Sequence, residues 1–115
     1  MLYSELKIFG GDHIKVLIDA DGCPVTNIVI EIAKEYEVEV LIVKNYSHQI
    51  EDSYATVVTV DNSSDSADYY IVNKANKGDI IVTQDYGLCG MALSKEAICI
   101  NQNGLIISSK NIDGL

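Results

Sequence analysis

Arginine is absent from this 115-residue chain, and lysine supplies all eight of its bases. Without a guanidinium there is no planar fork to grip a phosphate through two parallel hydrogen bonds. Seventeen acids against those eight bases leave a formal net charge of −9. Surfaces that bind nucleic acid carry a basic footprint, so tight binding to DNA or RNA is expected only where metal ions or a second subunit add positive charge. Long apolar runs are missing as well. None approaches the ~20 residues that span a bilayer, which argues against membrane insertion. The opening residues MLYSELKIFGGD have neither a basic n-region nor a long apolar h-region. They are expected to form a short extension over residues 1–12 rather than a secretory signal, and a cytoplasmic location follows. Cysteine is scarce. Cys23, Cys89 and Cys99 are an odd count with no C-x-x-C pair, which argues against a disulfide framework or a zinc knuckle and for reduced thiols.

The hydrophobic fraction is 48%, enough for one domain over residues 1–115 with a core on both sides of a sheet. Short β-branched runs alternate with helical patterns. Strands are expected at 13–20, 38–44, 55–60, 79–83, 97–100 and 105–108, the last two joined by the turn Asn101–Gly104 as a terminal hairpin. Val25, Ile28, Val29, Ile32, Ala33 and Tyr36 fall at helical spacing and predict a first helix with Pro24 at its first position. Further helices are expected from about Asp65 to Asn76, closed by Lys77-Gly78, and over 87–95. The alternation predicts an α/β fold with a mostly parallel sheet and helices on both faces, and by analogy with doubly wound sheets the strand order 3-2-1-4-5.

Ligands in such sheets bind beyond the carboxyl ends of the strands, and the aspartates fall there. The first strand ends in Asp19-Ala20-Asp21, the third near Asp61 and the fourth in Thr83-Gln84-Asp85, while Asp65-Ser66-Ala67-Asp68 opens the middle helix. If strands one and four are neighbours, Asp19 and Asp85 meet, and Asp65 and Asp68 share one helix face. Carboxylates gathered this closely disfavour one another's ionised form unless a cation neutralises them. Oxygen-only donors suit Mg²⁺ or Mn²⁺ rather than zinc. Such an ion can orient a water and stabilise charge in phosphoryl transfer.

Plainer roles stand beside these. Asp65 and Asp68 can be helix caps, Asp21-Gly22 and Asp85-Tyr86-Gly87 can be turns, and Thr83 can hold a water or simply end a strand. Cys23 lies near a helix start, which favours a thiolate. His13 and His48 are both distant in sequence, however, so no base stands ready to make it a nucleophile. Tyr69 and Tyr70 fit packing better than base stacking.

Three segments carry a resemblance. VLIDADGCPVTNIVIEIAKEY, DSADYYIVNKANKGDIIVTQDYGLCGMAL and AICINQNGLIISSKNI resemble, in that order, the D-A-D-x-C-P-V turn, the D-x-A-D helix start with G-D-I-V-I-T-x-D, and the closing hairpin of the YaiI/YqxD family of uncharacterised bacterial proteins. That family is in turn similar to PIN-like and NYN-type nuclease domains. The resemblance implies a three-layer PIN-like domain. It also implies catalytic and metal-ligand roles for Asp19, Asp68 and Asp85, with Asp21 and Asp65 in close support as further ligands; beside them, Thr83, Cys23 and Ser66 are expected as supporting residues. The implied reaction is attack of water on a phosphodiester with Mg²⁺ or Mn²⁺, on single-stranded RNA or another nucleic acid. Two other readings remain. LIDADGC and IIVT also look like the first two motifs of a haloacid-dehalogenase-type phosphatase, although Cys23 replaces the usual threonine. A non-catalytic scaffold that binds metal, nucleotide or protein is the third.

Overall fold

Leu17, Ile18, Ile42, Val43 and Ile81 are fully buried because they belong to strands covered on both faces. The computed structural model describes residues 13–21, 23–45, 50–61 and 66–112. Its strands are β1 (Lys15–Asp19), β2 (Glu39–Asn45), β3 (Thr56–Val60), β4 (Ile80–Val82), β5 (Ile98–Ile100) and β6 (Ile106–Ile107). The helices are α1 (Thr26–Glu35), α2 (Ser66–Lys74) and α3 (Tyr86–Ser94). One six-stranded sheet runs β3-β2-β1-β4-β5-β6. It is parallel throughout except for the antiparallel β5–β6 hairpin. The expected α/β class, strand order and closing hairpin are what the chain adopts.

Side chains alternate between two cores. Leu17, Val43, Ile81 and Cys99 face α2 and α3, meeting Ile71, Leu88 and Ala92. Ile18, Ile42 and Val82 face the other way and meet Ile30 and Ala33 of α1. The sidedness follows from chain direction. The β1-to-β2 crossover moves one way along the sheet, and the β3-to-β4 and β4-to-β5 crossovers move the other. Right-handed crossovers therefore place α1 on one face and α2 and α3 on the opposite face.

Three local expectations differ from the structure. Helix α1 begins at Thr26, two residues after Pro24, which sits in the preceding turn. The buried side of α1 is Ile30 and Ala33, with Ile28, Ile32 and Tyr36 exposed. Apolar residues cover more than half of this helix's circumference, so periodicity alone could not say which arc meets the sheet. Helix α2 ends at Lys74, and Gly78, at φ +86°, forms the turn into β4 instead of capping the helix. Asp65 and His48 lie outside the described residues.

Cys89 and Cys99 form a disulfide between α3 and β5, contrary to the expectation of reduced thiols. A spacing of ten residues carries no recognisable disulfide signature. The bond arises because α3 packs directly on the strand that follows it. Closing a loop of this size removes enough unfolded-state entropy to stabilise by up to about 3 kcal/mol. Unfolding in urea with dithiothreitol should therefore show a lower midpoint than without it, and equal midpoints would deny the bond a stabilising role.

A buried ion pair joins β1 to the start of β4. Asp79 is 1% exposed and accepts from the Lys15 ammonium at 2.6 Å, the Lys15 backbone N–H at 3.1 Å and the Asn76 N–H at 2.8 Å. Three donors satisfy one carboxylate, as a buried charge requires.

Candidate functional site

Strand order reverses between β1 and β4. The chain leaves β1 toward β2 on one side, and β4 enters on the other, so their carboxyl ends border an open crevice. Ile18 pairs with Val82, which makes Asp19 and Thr83 neighbours one step further on. Both are buried, and the Thr83 hydroxyl donates to Asp19 Oδ2 at 2.8 Å. Thr83 Oγ1 in turn accepts from the Asp85 N–H at 3.0 Å. One hydroxyl thus fixes the carboxylate of β1 against the loop after β4.

Asp85 is the N-cap of α3. Its Oδ1 accepts from the N–H groups of Gly87 at 2.8 Å and Leu88 at 3.3 Å, satisfying donors that a helix start leaves open. A Cβ at position 87 would stand 3.1 Å from that oxygen, so glycine gives the cap its room. Asp85→Ala should cost about 1 kcal/mol in a denaturation midpoint, while Asp85→Asn, which keeps a capping oxygen, should cost much less. Equal losses would mean that charge matters here and capping does not.

Asp19, Asp21, Asp68 and Asp85 line one pocket of about 330 Å³, together with Ala67 and Gln84. Four of the five aspartates proposed from the sequence therefore border a single space, and Asp65 falls outside the described residues. Thr83 lies beneath the pocket, holding Asp19. Ser66 is turned to Asp61, to which its hydroxyl donates. Cys23 packs against the core on the α1 face and does not line the pocket. Its N–H bonds Ala20 O at 3.2 Å, and its carbonyl accepts from the Thr26 hydroxyl at 3.1 Å. His13 is exposed at the opposite, amino edge of the sheet. Gln84 had no role assigned from the sequence. Its place between Thr83 and Asp85 is the signal that could have found it.

Burial raises the Asp19 carboxyl above its ordinary value, and the charges of Asp21 and Asp85 push the same way, while the Thr83 hydroxyl and the Asp21 backbone pull it down. This is the electrostatic state expected of carboxylates that crowd a low-dielectric edge. Among the described residues, no group of three or more His, Cys, Asp or Glu side chains is placed so that it could hold a metal ion. The donor set is oxygen only, which suits a hard cation that keeps several of its own waters.

A sequence profile described as "Uncharacterized BCR, YaiI/YqxD family" matches residues 17–115. The chain belongs to the YaiI/YqxD family. Proteins named "UPF0178 protein" are similar to it over 101 residues, 88% of the chain. The one from Natranaerobius thermophilus is 52% identical, and the match covers 69% of its length. Those from Alkaliphilus oremlandii and Ruminiclostridium cellulolyticum are 50% and 48% identical, with 65% and 66% of their lengths covered. The chain thus spans about two thirds of the length of these relatives. No solved structure matches it. Among the described residues, no helix is long and apolar enough to cross a membrane.

Proposed function

We propose that the pocket between β1 and β4 hydrolyses phosphodiester bonds with a divalent cation, Mg²⁺ or Mn²⁺, and that single-stranded RNA is its substrate class. The observation that carries the reading is the meeting of Asp19 and Asp85 at the strand-order switch, with Asp21 and Asp68 on the same pocket. Asp19, Asp85 and Asp68 would hold the cation, with Asp21 supporting them. When bound, the ion would offset the burial and the repulsion that raise the Asp19 pKa and supply Lewis acidity and an activated water. Thr83 orients Asp19, and the α3 N-terminus fixes Asp85. The overall charge of −9 repels a polyanion, and a bound cation would offset part of that repulsion at the pocket.

A phosphatase working through a phospho-aspartate needs a lysine beside the nucleophile. Among the described residues, no lysine is among the side chains lining this pocket, which disfavours that alternative. The acidic charge and the absence of arginine favour a second reading, a scaffold that holds a metal without turnover. Incubation of a labelled single-stranded RNA with Mn²⁺ separates the two. Cleavage by the wild type that falls about a hundredfold or more in Asp68→Asn supports hydrolysis. Saturable Mn²⁺ binding without cleavage supports the scaffold.

A further inference from the structure

Hydrogen-bond donors are scarce in the acidic pocket. Asp19, Asp21, Asp68 and Asp85 line it with carboxylates, which when ionised only accept. Ala67 offers a methyl group. The Thr83 hydroxyl has one proton, already given to Asp19 at 2.8 Å. The start of α3, where open N–H groups would ordinarily gather an anion, is occupied as well. The Asp85 carboxylate takes the N–H groups of Gly87 and Leu88, and Thr83 Oγ1 takes that of Asp85. Gln84 remains. Among the described residues it is the one side chain lining the pocket that carries N–H donors. It is exposed, and its amide makes no hydrogen bond to another described residue.

A phosphodiester brings the complementary need. Its two non-bridging oxygens share one negative charge and only accept. With a cation in the pocket one of them would lie on the metal, and the other would face carboxylates that repel it. We infer that the Gln84 carboxamide donates from Nε2 to this second oxygen, and that Gln84 is the substrate-binding residue of the pocket. A neutral donor suits a group that carries a single charge. The planar amide can meet the diester with its nitrogen and leave its own oxygen to water. In the chain Gln84 falls between Thr83, which orients Asp19, and Asp85, and it borders the same space as both carboxylates. The inference rests on the reading of this pocket as a phosphodiester site and adds the side chain that grips the diester.

The probe is dimethyl phosphate, a minimal and inert phosphodiester, titrated into the full chain with Mn²⁺ present. Binding is read as ³¹P relaxation beyond that caused by free Mn²⁺. Gln84→Met keeps the length of the side chain and removes only the amide. It should keep the wild-type melting temperature and its response to Mn²⁺, because position 84 is exposed, and bind the probe about tenfold more weakly, as loss of a hydrogen bond to a charged acceptor does. Gln84→Glu exchanges the donor for a further carboxylate and should weaken the probe more. On a labelled single-stranded RNA, Gln84→Met should raise KM about tenfold with a much smaller change in kcat, the signature of lost ground-state binding. Probe binding that Gln84→Met leaves intact overturns the inference even where RNA is cleaved, and so does a wild type that does not bind the probe. Probe binding that depends on the amide, without cleavage of RNA, upholds the inference and overturns the hydrolysis, so the two fail separately.

Discussion

Replacing Asp79 with alanine is expected to remove about 3–5 kcal/mol of stability, the cost of leaving a buried charge without its partner. Asp79 holds three donors at once, two from Lys15 and one from Asn76. Its loss strands the Lys15 ammonium in a largely buried position and unties the amino ends of β1 and β4 together. A domain of this size has about 5–15 kcal/mol in total, so the variant should unfold at a much lower urea midpoint and be partly unfolded near body temperature. The exposed Lys77–Glu96 pair, at 3.8 Å, is the natural control and should cost well under about 1 kcal/mol when broken. Similar small losses for both pairs would show that the Asp79 carboxylate is solvated in practice.

Asp19→Asn should do the reverse to stability while removing the proposed activity. The folded state raises the Asp19 pKa, so over the interval from its ordinary value of 3.8 up to the raised folded value, the native state binds more protons than the unfolded state. Stability therefore falls as pH rises through that interval. Asparagine removes the charge and keeps an oxygen for the Thr83 hydroxyl. The variant is expected to melt above the wild type at pH 7 and to lose that advantage as pH falls to 3.8. In the proposed reaction it should cleave RNA about a hundredfold more slowly or worse. A variant that is less stable than the wild type at pH 7 would mean that the carboxylate is held by attraction that outweighs burial and repulsion.

The frame of the fold was legible because its signals are local. Runs such as Val16–Ile18 and Val40–Val43 are too continuously apolar for one-sided strands, and their alternation with helical spacing leaves few topologies. Placing Asp19 and Asp85 together needed only the strand order 3-2-1-4-5. The details that escaped depend on contacts between distant residues. Nothing in the sequence near Asp79 marks Lys15 as its partner sixty-four residues away. The bond between Cys89 and Cys99 depends on the way α3 settles on β5, which no spacing rule encodes. The buried arc of α1 is not written in the sequence because Ile28, Val29, Ile30, Ile32 and Ala33 are all apolar, and only the sheet's position selects Ile30 and Ala33. Cys23 drew notice for its place near a helix start, yet the turn carries it to the core on the α1 face, away from the aspartates.

The central proposal is that Asp19, Asp68 and Asp85, with Asp21 in support, hold one divalent cation at the β1–β4 switch. The most direct measurement is the melting temperature of the wild type, Asp19→Asn and Asp85→Asn as Mn²⁺ is added. A cation present at about one hundred times its dissociation constant should add about 2.7 kcal/mol. The account predicts a rise of several degrees in the wild type that both variants lack. A wild type that does not respond, or variants that respond as strongly as it does, would contradict a shared metal site and leave the pocket as a cluster of acids that repel one another.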